Sequence, residues 1–432
     1  MKILYIISNY HPYADANTNC LEPFIQCMKG KADIYILTKS HNDSDKVYET
    51  DSNGKVYRFQ STCMGKFTSK FIHGRVGLRT HRNVREMLFG LLSVLMLVLL
   101  SPIIFFIKLF TGTIVYDDEW AAANAVKKIV AEEKIDIVVS SSAPSYPHYA
   151  CLHLAKNGFF AKHRVKWFAY FMDPSATYAF VPESKRNAKL KREKEIYQYA
   201  QMVFVPPEMY AENTEKYFNE YKDKMVSLPF PNLIPEASEK QKAGHPSGFI
   251  ECAYIGTLSY SQMRDVTALI DFIEKLDDKR FRINLIGNIP DSVLAKLQQR
   301  KTKATVKIHG RLPLDVCKEY MAQCDVLINI GNNCSNQMPS KVFDYISTGN
   351  IILNFSKFEK DPSRTYLRMY PLCYEITGTA CSDEVIRDFL NFYENNCGKR
   401  IKEEEIQNLY GEFCYQNVVG KFEKVLTDEE NK

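Results

Sequence analysis

Short apolar segments separated by longer amphipathic stretches are the feature that most limits what this chain can fold into. They occur in two successive groups, and most of them are continuously apolar. Continuous apolar strands joined by helical stretches are typical of parallel sheets that helices cover on both faces. The predicted strands are 2–7, 34–38, 55–59, 135–140, 166–171 and 202–205 in the first group, and 249–255, 282–287, 306–309, 326–330 and 351–355 in the second.

A proline-rich stretch separates the two groups. It runs over residues 228–248 and holds Pro229, Pro231, Pro235 and Pro246. Such a stretch cannot form a helix or a central strand, so it predicts a linker at 229–248. We therefore expect two doubly wound α/β domains, an N-terminal one at 1–228 and a C-terminal one at 249–405. A helical segment at 406–432 would follow, with packing back on the N-terminal domain as one arrangement.

Composition excludes several classes of protein. The 432 residues include 56 Lys and Arg against 51 Asp and Glu, which leaves no basic excess for binding nucleic acid. The 12 cysteines form no CxxC pair and no Cys/His cluster at zinc spacing, so we expect reduced cytosolic thiols and no metal. The apolar start is too short for a signal peptide and predicts a first strand.

Residues 87–107 form a run of 21 residues without a charge. As a helix, this run would be about 31 Å long, enough to cross a bilayer. A single crossing would, however, separate strands that we assign to one sheet. Ser101 and Pro102 interrupt the run. Basic residues, which the anionic lipids of the cytoplasmic leaflet attract, flank it: Arg75, Arg79, Arg82, Arg85 and Lys108. We expect an interfacial or re-entrant membrane-docking element, with a buried core helix and a true span as alternatives.

The segment GNNCSNQMPSKVFDYISTGNIIL, residues 331–353, is the most informative for chemistry. Pro339 suits the first position of a helix and Gly349 suits its end. The helix would begin near Pro339, just past the strand 326–330. Its free backbone N–H groups would form an anion site beyond the carboxyl end of that strand.

Three side chains of this helix add to the predicted site. Ser340 contributes a hydroxyl group and Lys341 a positive charge, which together suit a diphosphate. Asp344, about one turn further on, can accept two hydrogen bonds from the diol of a ribose. Phosphate and ribose sites side by side predict a nucleotide ligand.

The phrase PSKVFDYISTG resembles the donor-binding segment of glycosyltransferase family 4 and its bacterial polysaccharide-assembly relatives. The phrases ECAYIGTLSYSQMRDVTALIDFIEKL, INLIG, KIHGRLP and CDVLINIGNN precede it in the order found in that family. The resemblance implies the GT-B fold, in which two facing Rossmann-like, doubly wound domains enclose an interdomain cleft. It implies a nucleotide sugar as substrate and no separate cofactor.

The resemblance also assigns roles in donor binding. Arg264 would neutralise the leaving diphosphate, and Lys341 would compensate for Thr257, which stands where the family usually has arginine. Asn336 stands where the family has the first of two acidic residues, and Asp344 is the second. The implied donor-binding residues are Gly256, Thr257, Arg311, Leu312, Asn336, Pro339, Ser340 and Asp344, with Arg311 and Leu312 beside the nucleobase.

On the acceptor side, the resemblance points to loops of the N-terminal domain. Asn17 lies where the family often has a glycine pair. Asp173, which follows a predicted strand, would act with Arg264 and Lys341 as a catalytic residue. Ser142, Tyr146 and His148 would face the acceptor. Asp173 could instead begin a turn before a proline, and His148 could be a core histidine.

Together these features predict a cytoplasmic glycosyltransferase attached peripherally to the inner face of the cell membrane. It would move a sugar from a nucleotide-sugar donor to a lipid-linked or other glycan acceptor in bacterial surface polysaccharide synthesis, such as capsule, exopolysaccharide or lipopolysaccharide. No metal is expected, because side chains supply positive charge, and the resemblance implies retention of anomeric configuration. The alternatives are a nucleotide-sugar epimerase and a non-catalytic nucleotide-sugar-binding scaffold, which the departures at Asn336 and Thr257 would suit.

Overall fold

The computed structural model describes residues 1–42, 44–61, 118–142, 145–177, 181–235, 248–258, 264–299 and 301–430, together with residues 95, 98, 99, 101 and 102. The chain divides into two compact units. Unit 1 comprises residues 1–176, 183–205 and 216–227, and unit 2 comprises 177–182, 206–215 and 228–432.

Unit 1 is built on a mostly parallel sheet. Its strands are β1 (Lys2–Ile6), β2 (Asp33–Lys39), β3 (Tyr48–Thr50), β4 (Lys55–Phe59), β5 (Ile137–Ser141), β6 (Lys166–Tyr170), β7 (Met202–Val205) and β8 (Met225–Ser227). They lie in the order β3-β4-β2-β1-β5-β6-β7-β8. Among these described strands, β3 alone pairs antiparallel, with β4. The central strands β1 and β5 are in register from Ile3 opposite Ile137 to Ile6 opposite Ser140.

The helices described in unit 1 are α1 (Ala16–Cys27), α2 (Asp118–Glu133), α3 (Tyr146–Lys156), α4 (Phe159–His163) and α5 (Glu183–Tyr199). Helix α1 begins after Asp15, whose carboxylate accepts a hydrogen bond from the Thr18 backbone N–H at 3.0 Å. Such an N-cap stabilises a helix by about 1 kcal/mol. The apolar faces of these helices and the strands of the sheet form the core of unit 1, where Phe24 and Val126 are fully buried.

Unit 2 has a parallel sheet in the order β11-β10-β9-β12-β13-β14. Its strands are β9 (Ile250–Ile255), β10 (Phe281–Ile286), β11 (Thr305–Gly310), β12 (Val326–Ile330), β13 (Ile351–Ser356) and β14 (Cys373–Thr377). Its helices are α6 (Pro207–Glu212), α7 (Thr267–Lys275), α8 (Asp291–Gln299), α9 (Leu314–Gln323), α10 (Lys341–Ser347), α11 (Pro362–Leu367), α12 (Asp383–Asn396), α13 (Glu403–Tyr410) and α14 (Tyr415–Glu430).

The predicted strands are confirmed within two residues at their ends, and the prediction of two doubly wound α/β domains is confirmed by two such sheets. Three strands were missed: β3, β8 and β14. Strands β3 and β8 have three residues each, too few to show a period. Strand β14 is an edge strand with one fully buried position in five, so its sequence lacks a continuous apolar run.

Most of the apolar run 87–107 lies outside the described residues, so its predicted docking role stays a prediction. Five of its residues are described as helical, and of these Leu95, Val98 and Leu99 are exposed. Among the described residues, no helix combines the length and the apolar character that a membrane span needs.

The predicted linker 229–248 is described at 229–235 and at 248. Its first part is packed in unit 2, where Leu233 is fully buried and its carbonyl accepts a hydrogen bond from the Tyr415 backbone N–H at 2.8 Å. The C-terminal helices α13 and α14 also belong to unit 2, and Tyr410 Oη donates to the Tyr366 carbonyl at 2.7 Å. The expectation that residues 406–432 reach the N-terminal domain stays a prediction.

Candidate functional site

The carboxyl ends of β9 and β12 in unit 2 bring together residues that are far apart in the sequence. Gly256 and Thr257 follow β9, and residues 331–340 connect β12 to α10. Helix α10 begins at Lys341, two residues after Pro339, with Ser340 as its N-cap and no side-chain cap. It has only seven residues, so its dipole is smaller than the sequence predicted. Side-chain charge therefore has to supply most of the attraction for an anion.

Arg264 lies at this edge of the sheet. Its Nε donates to Asn332 Oδ1 at 3.1 Å, and its Nη1 lies 3.4 Å from Tyr254 Oη. Gly256 makes room for this arrangement, because a Cβ there would lie 2.9 Å from the Tyr254 hydroxyl. The Arg264 guanidinium is thus held between the last residues of β9 and the residues that follow β12.

Lys341 and Asp344 form an ion pair along α10, with Lys341 Nζ 3.0 Å from Asp344 Oδ2. Burial raises the pKa of the Asp344 carboxyl, and the charges of Lys341 and Lys318 oppose that shift. Both side chains keep some exposed surface, 28% for Lys341 and 19% for Asp344. The residue predicted to bind phosphate, Lys341, and the residue predicted to bind ribose, Asp344, therefore lie side by side and form an ion pair in the ligand-free protein.

The side chain of Tyr345 connects α10, the helix that carries Lys341 and Asp344, to β9. Its hydroxyl accepts a hydrogen bond from the Ile255 backbone N–H at 3.0 Å, which fixes α10 against the end of β9. Burial raises the pKa of Tyr345, and the nearby Arg264 opposes this shift. Arg264 and Asp344, the partner of Lys341, are therefore both close enough to this buried tyrosine to act on it electrostatically.

Asn336 is buried in unit 2. Its Nδ2 donates to the Thr177 carbonyl at 3.0 Å, to Thr177 Oγ1 at 3.1 Å and to Glu212 Oε2 at 2.5 Å. Its Oδ1 has no hydrogen-bond partner among the described residues. The amide nitrogen of Asn336 thus already donates to acceptors of the protein. In this conformation it is not available for the predicted contact with the nucleotide-sugar donor.

The remaining donor-side residues occupy loop positions. Arg311 is exposed and Leu312 is half-buried, between β11 and α9. Pro339 is buried and Ser340 is half-buried, immediately before α10. The Leu312 carbonyl lies 3.7 Å from the thiol of Cys317. Burial raises the pKa of this thiol, and the nearby charge of Lys341 opposes the shift. The loop after β11 therefore approaches the Lys341 side of the site.

Three predicted acceptor-side residues are buried inside unit 1. Ser142 Oγ accepts from the Met172 backbone N–H at 3.4 Å, and Tyr146 Oη donates to the Ser8 carbonyl at 3.4 Å. His148 is completely buried, with Nδ1 2.8 Å from Ser140 Oγ, and burial lowers its pKa to about 3. Tyr146 and His148 are thus buried on α3, and Ser142 is buried just after β5; their role on the acceptor side stays a prediction.

The other predicted residues of unit 1 remain near solvent. Asp173 is half-buried three residues after β6, where its charge contributes to the raised pKa of Tyr170. Asn17 is half-buried in the first turn of α1. Their roles at an acceptor stay predictions.

Sequence reasoning missed four residues of this region: Tyr254, Asn332, Thr177 and Glu212. Asn332 lies two residues after the end of β12, so its position at the carboxyl edge of the sheet could have marked it. Glu212 lies 124 residues from Asn336, and no local pattern signals that contact. In the part of the chain that the structure describes, no three His, Cys, Asp or Glu side chains come together as a metal site would require.

Comparison with known proteins gives a likeness in structure but not in sequence. No protein-family model matches the chain, and no curated protein matches it. Sucrose-phosphate synthase from Thermosynechococcus elongatus superposes with a TM-score of 0.63 at 11% identity, covering 99% of this chain and 98% of that one. This enzyme and the other solved structures that superpose on the chain are GT-B glycosyltransferases. The chain has the GT-B fold.

Two further GT-B structures are similar over their whole length. The lipopolysaccharide outer core galactosyltransferase WaaB in its apo form has a TM-score of 0.55 at 12% identity, covering 99% of this chain and 100% of that one. Anabaena Alr3699/HepE in complex with UDP-glucose has a TM-score of 0.58 at 11% identity, with the same coverage. At such identities the likeness establishes the GT-B fold and leaves the substrates to be argued from the site.

Proposed function

We propose that the protein is a glycosyltransferase that moves a sugar from a nucleotide-sugar donor to an acceptor. The observation that supports the proposal is that Arg264, held by Asn332, and Lys341, at the start of α10, both lie at the carboxyl ends of parallel strands, where Tyr345 joins α10 to the end of β9. Ligands of open α/β sheets bind at these strand ends. The similar Anabaena structure, in the same GT-B fold, contains UDP-glucose.

The reaction breaks the bond between the anomeric carbon and the diphosphate oxygen and forms a bond from that carbon to an acceptor hydroxyl. Negative charge grows on the leaving nucleoside diphosphate, and a cation that is already in position lowers the energy of that state. Arg264 and Lys341 take this role in the proposal. The acceptor hydroxyl gives its proton to the leaving diphosphate oxygen, and we assign Asp173, with Asn17, to the acceptor side.

Asp344 would bind the ribose of the donor, and Arg311 and Leu312 would lie beside the nucleobase. Gly256 and Ser340 would line the diphosphate site. Because side chains supply the positive charge, we propose that transfer needs no metal. From the resemblance to glycosyltransferase family 4, we propose that the anomeric configuration is retained. Activity that persists in EDTA and a proton NMR spectrum of the product would test these two points.

We further propose a lipid-linked glycan acceptor at the inner face of the cell membrane. The support is the uncharged run 87–107 with its basic flank, since such an acceptor lies at the bilayer surface. Co-sedimentation with phosphatidylglycerol vesicles tests this point. Binding that persists when the four arginines at positions 75, 79, 82 and 85 are replaced by alanine would contradict the electrostatic part of the proposal.

The main experiment is calorimetry of the full-length protein with UDP, ADP and GDP, followed by assays of nucleoside diphosphate release from the matching nucleotide sugars. Arg264→Ala and Lys341→Ala should each weaken binding of the diphosphate by about tenfold or more, the worth of a charged hydrogen bond. Arg387→Ala and Lys421→Ala are matched controls, since both residues are exposed on other helices. The proposal fails if no nucleotide binds, or if the site variants bind like their controls.

A non-catalytic nucleotide-sugar-binding scaffold is the second candidate. The observation in its favour is that Asn336 is bonded to Thr177 and Glu212, while Asp344 is paired with Lys341. Side chains committed in this way can hold a nucleotide without assisting transfer. Tight nucleotide binding together with no donor hydrolysis and no transfer to any glycan acceptor would support this candidate over the enzyme.

A further inference from the structure

Neutral oxygen atoms hold the Arg264 guanidinium. Its described partners are the Asn332 amide oxygen at 3.1 Å and the Tyr254 hydroxyl at 3.4 Å. Among the described residues, no carboxylate pairs with it. A guanidinium whose partners are uncharged keeps its whole charge for a ligand, whereas a carboxylate partner would cancel most of it.

The carboxylate next to Arg264 in the sequence is bound elsewhere. Asp265 Oδ2 lies 2.8 Å from Lys357 Nζ, and Asp265 Oδ1 accepts from the Thr267 backbone N–H at 2.9 Å. Lys357 and the start of α7 thus occupy both oxygens of this side chain. The local structure separates the acidic group from the guanidinium.

Asn332 is itself held in one orientation. It is 2% exposed, and its Nδ2 donates to the Gln337 carbonyl at 2.7 Å. Because the amide nitrogen is used by that carbonyl, the amide oxygen faces Arg264 Nε. Rotation of the amide by 180° would bring two donors together and two acceptors together, so it costs both hydrogen bonds.

The backbone of Asn332 is also fixed. Its N–H donates to the carboxylate of Asp361, a buried residue that caps α11 through the Ser363 backbone N–H at 3.0 Å. Gly331 permits this close approach, since a Cβ at Gly331 would lie 1.6 Å from Asp361 Oδ2. Asn332 is therefore anchored to α11 through its main chain and to the loop before α10 through its side chain.

We propose that Asn332 is a positioning residue, which directs the Arg264 guanidinium towards a bound diphosphate while leaving its charge uncancelled. The inference rests on the function proposed above and assigns a role to a residue outside the predicted donor-binding set. Asn332 acts only through Arg264 and does not touch the ligand. Its contribution to diphosphate binding should therefore vanish when Arg264 is absent.

A double-mutant cycle tests this coupling. The dissociation constant of UDP is measured by calorimetry for the wild type, Asn332→Ala, Arg264→Ala and the double variant. Asn332→Ala should weaken UDP binding about five- to tenfold in the wild-type background and less than twofold in the Arg264→Ala background. Equal losses in the two backgrounds, or no loss in the wild-type background, would overturn the inference. If Asn332→Ala does not fold, Asn332→Ser replaces it in the cycle.

A second test introduces a negative charge next to Arg264. Asn332→Asp places a carboxylate against Arg264 and should weaken UDP binding more than tenfold while leaving uridine affinity unchanged. Asn333→Asp adds the same charge one residue further on, and should change UDP affinity less than threefold. Equal effects of the two variants, or a parallel loss of uridine binding, would indicate a general structural role and contradict the inference.

The same cycle with inorganic pyrophosphate separates failure of the inference from failure of the proposed function. If pyrophosphate binding depends on Asn332 only when Arg264 is present, but no nucleotide sugar is bound, the positioning role stands and the proposed function fails. If UDP binds and the cycle is additive, the inference alone fails. A wild type that binds neither probe would overturn both.

Discussion

The ammonium group of Lys341 lies 3.0 Å from the carboxylate of Asp344, one turn along the same helix. The two residues were predicted to bind different parts of one nucleotide, yet in the ligand-free protein they neutralise each other. Burial raises the pKa of Asp344, and the charge of Lys341 opposes that shift. A ligand that binds both residues must therefore replace an existing interaction, which reduces the net gain from each contact.

Replacement of Asp344 by alanine should weaken UDP binding by about 1 to 3 kcal/mol, because two charge-assisted hydrogen bonds to the ribose are lost. The variant also releases Lys341, so binding of inorganic pyrophosphate should stay equal or become tighter. Calorimetry with UDP, uridine and pyrophosphate measures the three affinities. Asp428→Ala, an exposed position on α14, is the control. UDP affinity unchanged from the wild type would refute the assignment of Asp344 to the ribose.

Asn336→Glu would restore an acidic residue at the position where the resembled family has one. In this protein the new carboxylate would lie beside Glu212, whose Oε2 is 2.5 Å from the Asn336 amide nitrogen. Two like charges in contact, one at the buried position 336 and one on the half-buried Glu212, should lower the free energy of unfolding of unit 2 by about 1 to 3 kcal/mol. Urea denaturation measures this loss.

The rescue variant for this prediction is Asn336→Glu combined with Glu212→Gln, which exchanges the two groups across the same contact. It should recover most of the lost stability, whereas Glu212→Gln alone should cost about 1 kcal/mol. A single Asn336→Glu variant as stable as the wild type would mean that Glu212 moves away freely.

His148 should make the stability of unit 1 depend on pH. Burial lowers its pKa to about 3 in the folded protein, while the ordinary value is 6.5. As the pH falls below about 6.5, the unfolded chain binds a proton that the native state cannot bind, so the free energy of unfolding decreases. The loss approaches about 1.4 kcal/mol per pH unit and amounts to about 2 kcal/mol between pH 7 and pH 5.

The measurement is urea unfolding followed by fluorescence of Trp167, whose indole N–H donates to Ser140 Oγ next to His148. His148→Asn keeps a partner for Ser140 and removes the titrating group, so the stability difference from the wild type should shrink by about 2 kcal/mol at pH 5. His163→Asn, at an exposed position, should leave the pH dependence as it is. A wild type and a His148→Asn variant with parallel pH profiles would contradict the prediction.

Lys224 should stabilise the C-terminal end of α5. Its Nζ donates to the carbonyl groups of Gln198 at 2.8 Å and Ala200 at 3.0 Å, which no further helical turn satisfies. Lys224→Met should therefore lower the free energy of unfolding by about 1 to 2 kcal/mol. The exposed Lys222 provides the control variant Lys222→Met. Equal thermal unfolding midpoints for the two variants would show that water satisfies these carbonyl groups as well.

Much of the fold could be predicted because its signal is local. Strands β7 and β12 were placed at their observed limits, since a buried parallel strand needs a continuous apolar run between polar loops. The position of Lys341 and Asp344 beyond the carboxyl end of β12 followed from their place in that order of elements, whereas Arg264 was implied by the family resemblance. Strand β14 escaped prediction because a half-buried edge strand lacks that run.

Burial at the acceptor side could not be predicted from the sequence. The run containing Ser142, Tyr146 and His148 is polar enough to read as an exposed loop, yet α3 packs Tyr146 and His148 into the core of unit 1. Ser140 and Trp167 make this possible, because they form a buried hydrogen-bonded group with the imidazole. Whether a polar side chain is buried depends on partners from other strands, and their identity is a tertiary property.

The sequence by itself determined the two parallel sheets, their order along the chain and the loops that follow their strands. Hydrophobic periodicity and turn residues act over a few neighbouring positions, so these features can be read from the sequence. Tertiary structure alone decided that Asn332 meets Arg264, that Glu212 meets Asn336 and that Lys341 binds Asp344 in the absence of a ligand. These contacts join side chains whose pairing depends on distance and direction in space. A linear pattern of residue types contains neither quantity.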